Sequence, residues 1–312
     1  MTQTISLKKQ VEMYIDHCHR LGYTDGNTTG LKEFIAFVDQ KGHVGPLTIT
    51  LAMEWATASK TNRRSAWARR LGLLHRFAKY CKAIEPKTEI PPSGIYGSTL
   101  HRPTPHIYTS DEIHHLMMAT KLMQSTNGLK PIVFKYLIGL LASTGLRISE
   151  AIKLTDNDVD LINGVLTINE SKARKSRYIP LHPTTINALK EYVLLRNTFF
   201  NIKPSNFFFI NDKGNSLSII SIDRDYRWLR EKVGLKNNPR LYDLRHTFAC
   251  NRLLKWYEEE KNIDEMIVYL STYLGHGSTI DTYWYLTATP ELFSIVTKRF
   301  EKFTHCREGG SL

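Results

Sequence analysis

The sequence predicts a mainly α-helical chain with one small antiparallel β-sheet, arranged as a helical first domain and a mixed α+β second domain. Three observations predict it. Apolar residues recur three or four apart over most of the length, which is the helical period. One stretch, 86–108, loses that period and gathers Pro86, Pro91, Pro92, Pro103 and Pro105 with Gly94 and Gly97. A single Asn163-Gly164 pair stands between Val159-Asp160-Leu161-Ile162 and Val165-Leu166-Thr167-Ile168, a hairpin signal. With 312 residues the chain can fill two cores. The expected division is a helical domain over 1–85, a linker over 86–108, a mixed domain over 109–290 and a tail helix over 291–312.

The elements follow in order. Val11, Tyr14 and Ile15 mark a first helix, Leu31, Phe34, Ile35 and Phe37 a second, and 51–58 a third. The fourth, over 62–82, sets Arg63, Arg64, Arg69, Arg70, Arg76 and Lys79 among Trp67, Leu71, Leu74 and Phe77, so one face can pack while another meets phosphate. Thr109-Ser110-Asp111-Glu112 supplies an N-cap with acidic residues behind it, the start of the second domain. A helix over 131–143 ends at Gly145, the hairpin follows, and a third strand runs over 177–181 after the basic turn Ser171-Lys172-Ala173-Arg174-Lys175. Pro183 onward is helical, 207–210 reads as a short strand, and the remainder from Leu217 is mostly helix, closing on an amphipathic tail with Lys298, Arg299 and Lys302.

Lys and Arg number 42 against 30 acidic residues, a net charge of +12, which favours a polyanionic partner, nucleic acid first, although a merely basic protein shows the same balance. No apolar run approaches the ~20 residues of a membrane span, and 1–10 lacks the apolar stretch of a secretory signal. A cytoplasmic location without membrane attachment is the expectation. Cys18, Cys81, Cys250 and Cys306 form no CxxC pair and are expected to be reduced. Asp156-x-Asp158-x-Asp160 opens like a calcium loop, but Leu161 and Thr167 stand where that loop needs Gly and Glu. His17, His19, His114 and His115 diverge on their helices and read as surface histidines. Neither a metal nor a cofactor is expected.

Breaking a phosphodiester without a metal requires a nucleophile, cations for the non-bridging oxygens and an acid for the departing oxygen. Arg147, behind the Ser143-Thr144-Gly145 turn, and Arg245, in Asp243-Leu244-Arg245-His246-Thr247, carry guanidinium forks suited to a phosphoryl group. Lys172 in the basic turn can reach a leaving oxygen. His276 lies in Leu274-Gly275-His276-Gly277, and Tyr285 follows nine residues later in Tyr283-Trp284-Tyr285. Taken singly, each has a bland reading: a surface ion pair, a solvated hairpin tip, a packed aromatic.

Their order removes that ambiguity. Ser-Thr-Gly-Leu-Arg-Ile-Ser-Glu, the Ser-Lys-x-x-Lys-Ser-Arg-x-Ile-Pro-Leu hairpin, Asp-Leu-Arg-His-Thr-Phe-Ala and Leu-Gly-His followed by Tyr resemble the tyrosine recombinase, or phage integrase, family over about 109–290. The helical first domain is similar in layout to the family's core-binding (SAM-like) domain. The resemblance implies a site-specific recombinase or integrase of a mobile element, acting on double-stranded DNA in a prokaryotic cytoplasm, with the nucleoid, as a homo-tetramer on paired sites. It implies transesterification through a 3′-phosphotyrosine, with neither metal nor ATP. Arg147 and Arg245 would clamp the scissile phosphate, Lys172 would protonate the 5′ oxygen, His276 would hydrogen-bond the phosphate or assist proton transfer, and Tyr285 would attack. Glu150 would orient that part of the site. Arg63, Arg64, Arg69, Arg70, Arg174 and Lys175 are the expected DNA contacts outside the reaction centre, and the tail helix would dock on a neighbouring protomer.

One position departs from the family: three residues before Arg245 it usually carries His, and this chain carries Tyr242. A phenol donates a hydrogen bond well but shuttles protons poorly near neutral pH. Tyr242 is therefore expected to be a phosphate ligand or support rather than a base. Two alternatives stay open on the sequence: a DNA-binding regulator of the same fold that has lost catalysis, and a type IB topoisomerase.

Overall fold

The computed structural model describes residues 5–23, 28–59, 61–97, 104–169, 176–200 and 205–287. The chain divides into two compact units, 1–103 and 104–312.

The regular elements of the first unit's described part are all helices: α1 (Leu7–Arg20), α2 (Thr28–Lys41), α3 (Ile49–Thr57) and α4 (Arg64–Lys82). Ser6 and Thr48 cap α1 and α3 by accepting from the Lys9 and Leu51 amides, donors that a helix start leaves unpaired. The core is aromatic, with Phe34 edge-on to Trp55 at 5.4 Å and to Phe77 at 6.5 Å. Much of the Pro-rich stretch expected as linker belongs to this unit. Lys82 Nζ donates to Pro86 O and Thr88 O at 2.7 and 2.9 Å, His75 Nδ1 lies 2.7 Å from Pro91 O, and Trp67 meets Tyr96 edge-on. Prolines lack a backbone donor but keep their carbonyls as acceptors, so side chains of α4 strap this segment down.

The second unit opens at α5 (Ser110–Ala119), whose Thr109 and Glu112 form a capping box. Then come α6 (Leu129–Thr144), α7 (Ile148–Ala151), a three-stranded antiparallel sheet in the order β1 (Val159–Asp160), β2 (Val165–Ile168), β3 (Arg177–Pro180), and α8 (Pro183–Asn197). The helices α9 (Ile219–Val233), α10 (Asp243–Glu258), α11 (Ile263–Leu274) and α12 (Ile280–Tyr283) complete it, with a 3₁₀ turn over Trp284–Thr287. One core gathers Leu116, Leu137, Leu166, Ile179, Tyr192, Phe208 and Leu244; a second cluster joins Cys250, Leu253, Ile267 and Leu274 to Tyr285. Cys18, Cys81 and Cys250 are free thiols, and Cys306 lies outside the described residues.

Two local expectations are corrected. The hairpin has a four-residue rather than a two-residue connection, because Asp160 pairs with Val165. The Asp160 carboxylate accepts from the Ile162 and Asn163 amides, which ends the strand early and leaves Ile162 93% exposed; Gly164 closes the turn at φ +70°. Residues 207–210 form isolated bridges, Thr155 to Phe207 and Ile210 to Ser216, and not a strand. The Phe208 carbonyl is taken by Tyr192 Oη and Arg196, so no neighbouring strand can use it. The three aspartates of the false calcium loop are engaged locally: Asp156 with Arg196, Asp158 with Thr155 and Asn169, and Asp160 with the turn.

Candidate active site

The site is organised by two helix C-termini and one N-terminus. Helices α6 and α11 end on Gly145 and Gly275, both in the left-handed region at φ +64° and +68°. A Cβ at Gly145 would lie 2.5 Å from the Phe248 ring, and one at Gly275 would lie 2.8 Å from the Arg177 guanidinium. Glycine is therefore required twice, by conformation and by space. These ends present carbonyls that their helices leave without amide partners.

Guanidinium groups take those carbonyls. Arg245 sits in the first turn of α10, whose start is fixed by Asp243 accepting from the Arg240 amide at 2.8 Å and from its guanidinium at 2.6 Å. Arg245 is 1% exposed and donates to Gly145 O at 2.8 Å and Leu274 O at 2.6 Å. Arg147 donates to Leu274 O at 3.3 Å, Gly275 O at 3.1 Å and Glu150 Oε1 at 2.9 Å. Glu150 in turn accepts from the Arg147 amide and, through both oxygens, from Arg177. Burial pushes the Glu150 carboxyl up, but hydrogen bonds and charge from Arg177 and Arg147 outweigh it and hold the pKa below the usual range. Burial also lowers Arg245, opposed by Tyr285 and reinforced by Arg147.

The α11 end delivers His276, whose Nδ1 lies 2.6 Å from the hydroxyl of the fully buried Thr282. Burial, then the charges of Arg245 and Arg147, pull its pKa down to about 4, so the ring is neutral at pH 7. Tyr285 stacks on His276 at 5.9 Å between ring centres and 23° between planes, and is 2% exposed. Burial raises its pKa, and the Arg245 guanidinium draws it back. Tyr283 points away, 42% exposed, with its hydroxyl 3.3 Å from Asp264 Oδ1. Two residues apart along the chain, the two phenols thus face different surroundings.

The structure thus brings Arg147, Arg245, His276 and Tyr285 together, with Glu150 behind them. Tyr242 stands at the start of α10, 42% exposed, edge-on to His246, whose ring also meets Trp284 and Tyr285. Lys172, Arg174 and Lys175 lie outside the described residues, as do 291–312. In the first unit Arg63, Arg64 and Arg69 are exposed along α4, whereas Arg70 lies 3.9 Å over the Trp55 ring and 3.7 Å from Glu33. Sequence reasoning passes over two residues of the site, Arg177 and Thr282. Arg177 falls inside a quoted motif and Thr282 between His276 and Tyr285, but their partners are a distant carboxylate and an imidazole that spacing does not pair.

Residues 107–291 match the phage integrase family, more than half of the chain and every residue of this constellation. The chain belongs to the phage integrase family. As a tyrosine recombinase it binds DNA and cuts and rejoins it at specific sites. It is similar to two proteins of Sinorhizobium fredii named as integrase/recombinases: y4rB, 36% identical over 95% of this chain and 98% of that one, and y4rE, 34% identical over 94% and 95%. The tyrosine recombinase XerC of Chlamydia caviae is 26% identical over 76% of this chain and 69% of its own. Among solved structures, the Tn1549 transposon integrase in complex with transposon right end DNA shares the fold at 16% identity, with TM-score 0.67 over 96% of this recombinase and all of that chain. A lambda integrase tetramer bound to a Holliday junction shares it at 15%, with TM-score 0.63 over 91% and 78%.

Proposed function

We propose that Tyr285 is the nucleophile and that Arg147, Arg245 and His276 hold the scissile phosphate. The observation that carries this reading is the stacking of Tyr285 on His276 beside the buried Arg245 guanidinium, while Tyr283 turns outward. Two guanidinium groups fixed by backbone carbonyls supply preorganised positive charge for the oxygens of a pentacoordinate phosphorane. The Tyr285 oxygen bonds to phosphorus as the bond to the 5′ oxygen breaks, leaving a 3′-phosphotyrosine and a free 5′ hydroxyl. Lys172 gives the proton to that 5′ oxygen. Neutral His276 hydrogen-bonds a non-bridging oxygen, and the proton that Tyr285 loses passes to a non-bridging phosphate oxygen and from there to solvent. Tyr242 supports the phosphate as a hydrogen-bond donor at the exposed rim. The phosphotyrosine conserves the energy of the original bond, so a second 5′ hydroxyl reverses the step without ATP.

The chain would act as a homo-tetramer on paired sites, as the lambda integrase structure does on its junction, with the exposed Arg63, Arg64 and Arg69 of α4 adding salt-dependent phosphate contacts. Among the described residues no helix is long and apolar enough to cross a membrane, and a location with nucleoid DNA fits the reaction. Covalent capture tests the reading. On nicked duplexes drawn from a pool selected for binding, the wild-type chain becomes joined to a 3′ phosphate and Tyr285→Phe does not. An adduct that persists in Tyr285→Phe, or forms on any supercoiled DNA without paired sites, contradicts it.

A further inference from the structure

We propose that Arg177 is a positioning residue for the reaction: it neutralises Glu150 so that the charge of Arg147 stays available to the phosphate, and its tie to the end of α11 holds it in place to do so. The proposal rests on the reading of Arg147 as a phosphate ligand.

Among the described residues Glu150 has two cationic neighbours, and they do not share it equally. Arg177 approaches both oxygens, with Nη1 to Oε1 at 3.1 Å and Nη2 to Oε2 at 2.8 Å, a fork on a fork. Arg147 uses one side-chain nitrogen on Oε1, and its other guanidinium contacts are the backbone carbonyls of Leu274 and Gly275. Arg147 therefore owes only part of its placement to the carboxylate. Summed over Arg147, Glu150 and Arg177, one positive charge remains. The side chain of Arg177 is 9% exposed and that of Glu150 7%, against 20% for Arg147, so the remaining charge is the one that solvent, and hence an incoming phosphate, can reach.

The third contact of Arg177 extends the argument. Its Nε donates to Tyr273 O at 2.7 Å, one residue before the carbonyl that Arg147 and Arg245 share and three before His276. Its guanidinium also packs so closely on Gly275 that a Cβ there would meet Nη1 at 2.8 Å. Each of its three nitrogens donates to protein, and none is offered to substrate. Arg177 thus joins β3, the Glu150 of α7 and the C-terminus of α11 in one buried knot. Without it Arg147 would be the one cationic partner of Glu150 among the described residues, and the pair would be neutral where the phosphate needs a cation.

A double-mutant cycle on covalent-adduct formation tests this, measured in single turnover on saturating nicked duplex from the selected pool. Arg177→Gln is expected to slow adduct formation about 100-fold while leaving duplex affinity within about threefold, since misplacement of a reacting group costs rate rather than binding. Arg177→Lys keeps the charge without the fork and should lose about tenfold. In a Glu150→Gln background there is no carboxylate to neutralise, so adding Arg177→Gln should cost no more than about threefold further. Should Arg177→Gln fail to fold, this last comparison, between the double variant and Glu150→Gln, still decides the matter. A wild-type rate for Arg177→Gln, or a full 100-fold loss repeated in the Glu150→Gln background, would overturn the proposal and leave Arg177 as simple packing. Arg147→Ala, run alongside, separates the two layers. If it keeps the wild-type rate, the reading of Arg147 itself fails; if it loses activity while the cycle is flat, only the role of Arg177 fails.

Discussion

The chain presents its arginines in two different ways. Along α4 of the first unit, Arg63, Arg64 and Arg69 are exposed, and at their side Arg70 is drawn onto Trp55 and Glu33. In the second unit Arg245, Arg177 and Arg147 are 1%, 9% and 20% exposed, and each is held by backbone carbonyls at the end of α6 or α11. The first arrangement suits a diffuse attraction to many phosphates, weakened by salt. The second costs desolvation and returns a fixed geometry, which suits one phosphate at which bonds change. On the proposed function, binding belongs to one surface and chemistry to the other, and this contrast can be broken by experiment.

The largest effect is expected at Arg245. Arg245→Ala removes the donor shared between Gly145 O and Leu274 O, and adduct formation at saturating DNA should fall by ~10²–10³, as when a preorganised oxyanion donor is removed. The Gly145 carbonyl, left without this donor, should also lower the melting temperature, while Leu274 O keeps Arg147. Retention of the rate would show that the buried arginine is structural.

A smaller effect concerns His276. Its folded-state pKa, about 4, lies below the ordinary value of 6.5, so the native state binds this proton less readily than the unfolded chain. The resulting stability is complete above pH 6.5 and is lost as pH falls toward 4. Urea midpoints should therefore drop more steeply between those values in the wild type than in His276→Gln; parallel profiles would contradict the neutral, buried ring.

On α4 the expected change is in salt dependence. Replacing Arg63, Arg64 and Arg69 by Ala should lower the slope of log affinity against log salt by up to about 2.7, at ~0.9 for each phosphate that is no longer neutralised. The adduct rate at saturating DNA should stay within about twofold of wild type, since no side chain of the reaction centre is touched. A loss of rate with an unchanged slope would reverse the assignment of the two regions. Tyr283→Phe should have the smallest effect of all, because the hydroxyl it removes meets only Asp264 at the surface.

The sequence shows which helices and motifs carry Arg147, Arg245, His276 and Tyr285, because each sits beside a strong local signal: a glycine that ends a helix, or the first turn of the next one. It does not show what holds them. The acceptors for Arg245 and Arg147 are carbonyls of Gly145, Leu274 and Gly275, and every residue has a carbonyl, so side-chain identity carries no mark of that role. Arg177 reads as the start of a strand, and only the fold brings it 27 positions back to Glu150. Arg70 groups with its basic neighbours in the sequence because a single residue step, about 100° around the helix, separates a solvent face from an aromatic one. The hairpin length escapes a sequence reading for a similar reason: an Asp160 side chain, rather than the Asn-Gly pair alone, closes the turn.

The central claim is that Tyr285, packed on His276 and drawn on by Arg245, takes the DNA strand. Peptide mapping tests it most directly. The wild-type adduct, trapped on a nicked duplex and trimmed with nuclease, should yield a peptide spanning 281–287 with a 3′-linked nucleotide phosphate on Tyr285, distinguished from Tyr283 by fragmentation. Finding the nucleotide on Tyr283, or on a residue outside this segment, would contradict the account.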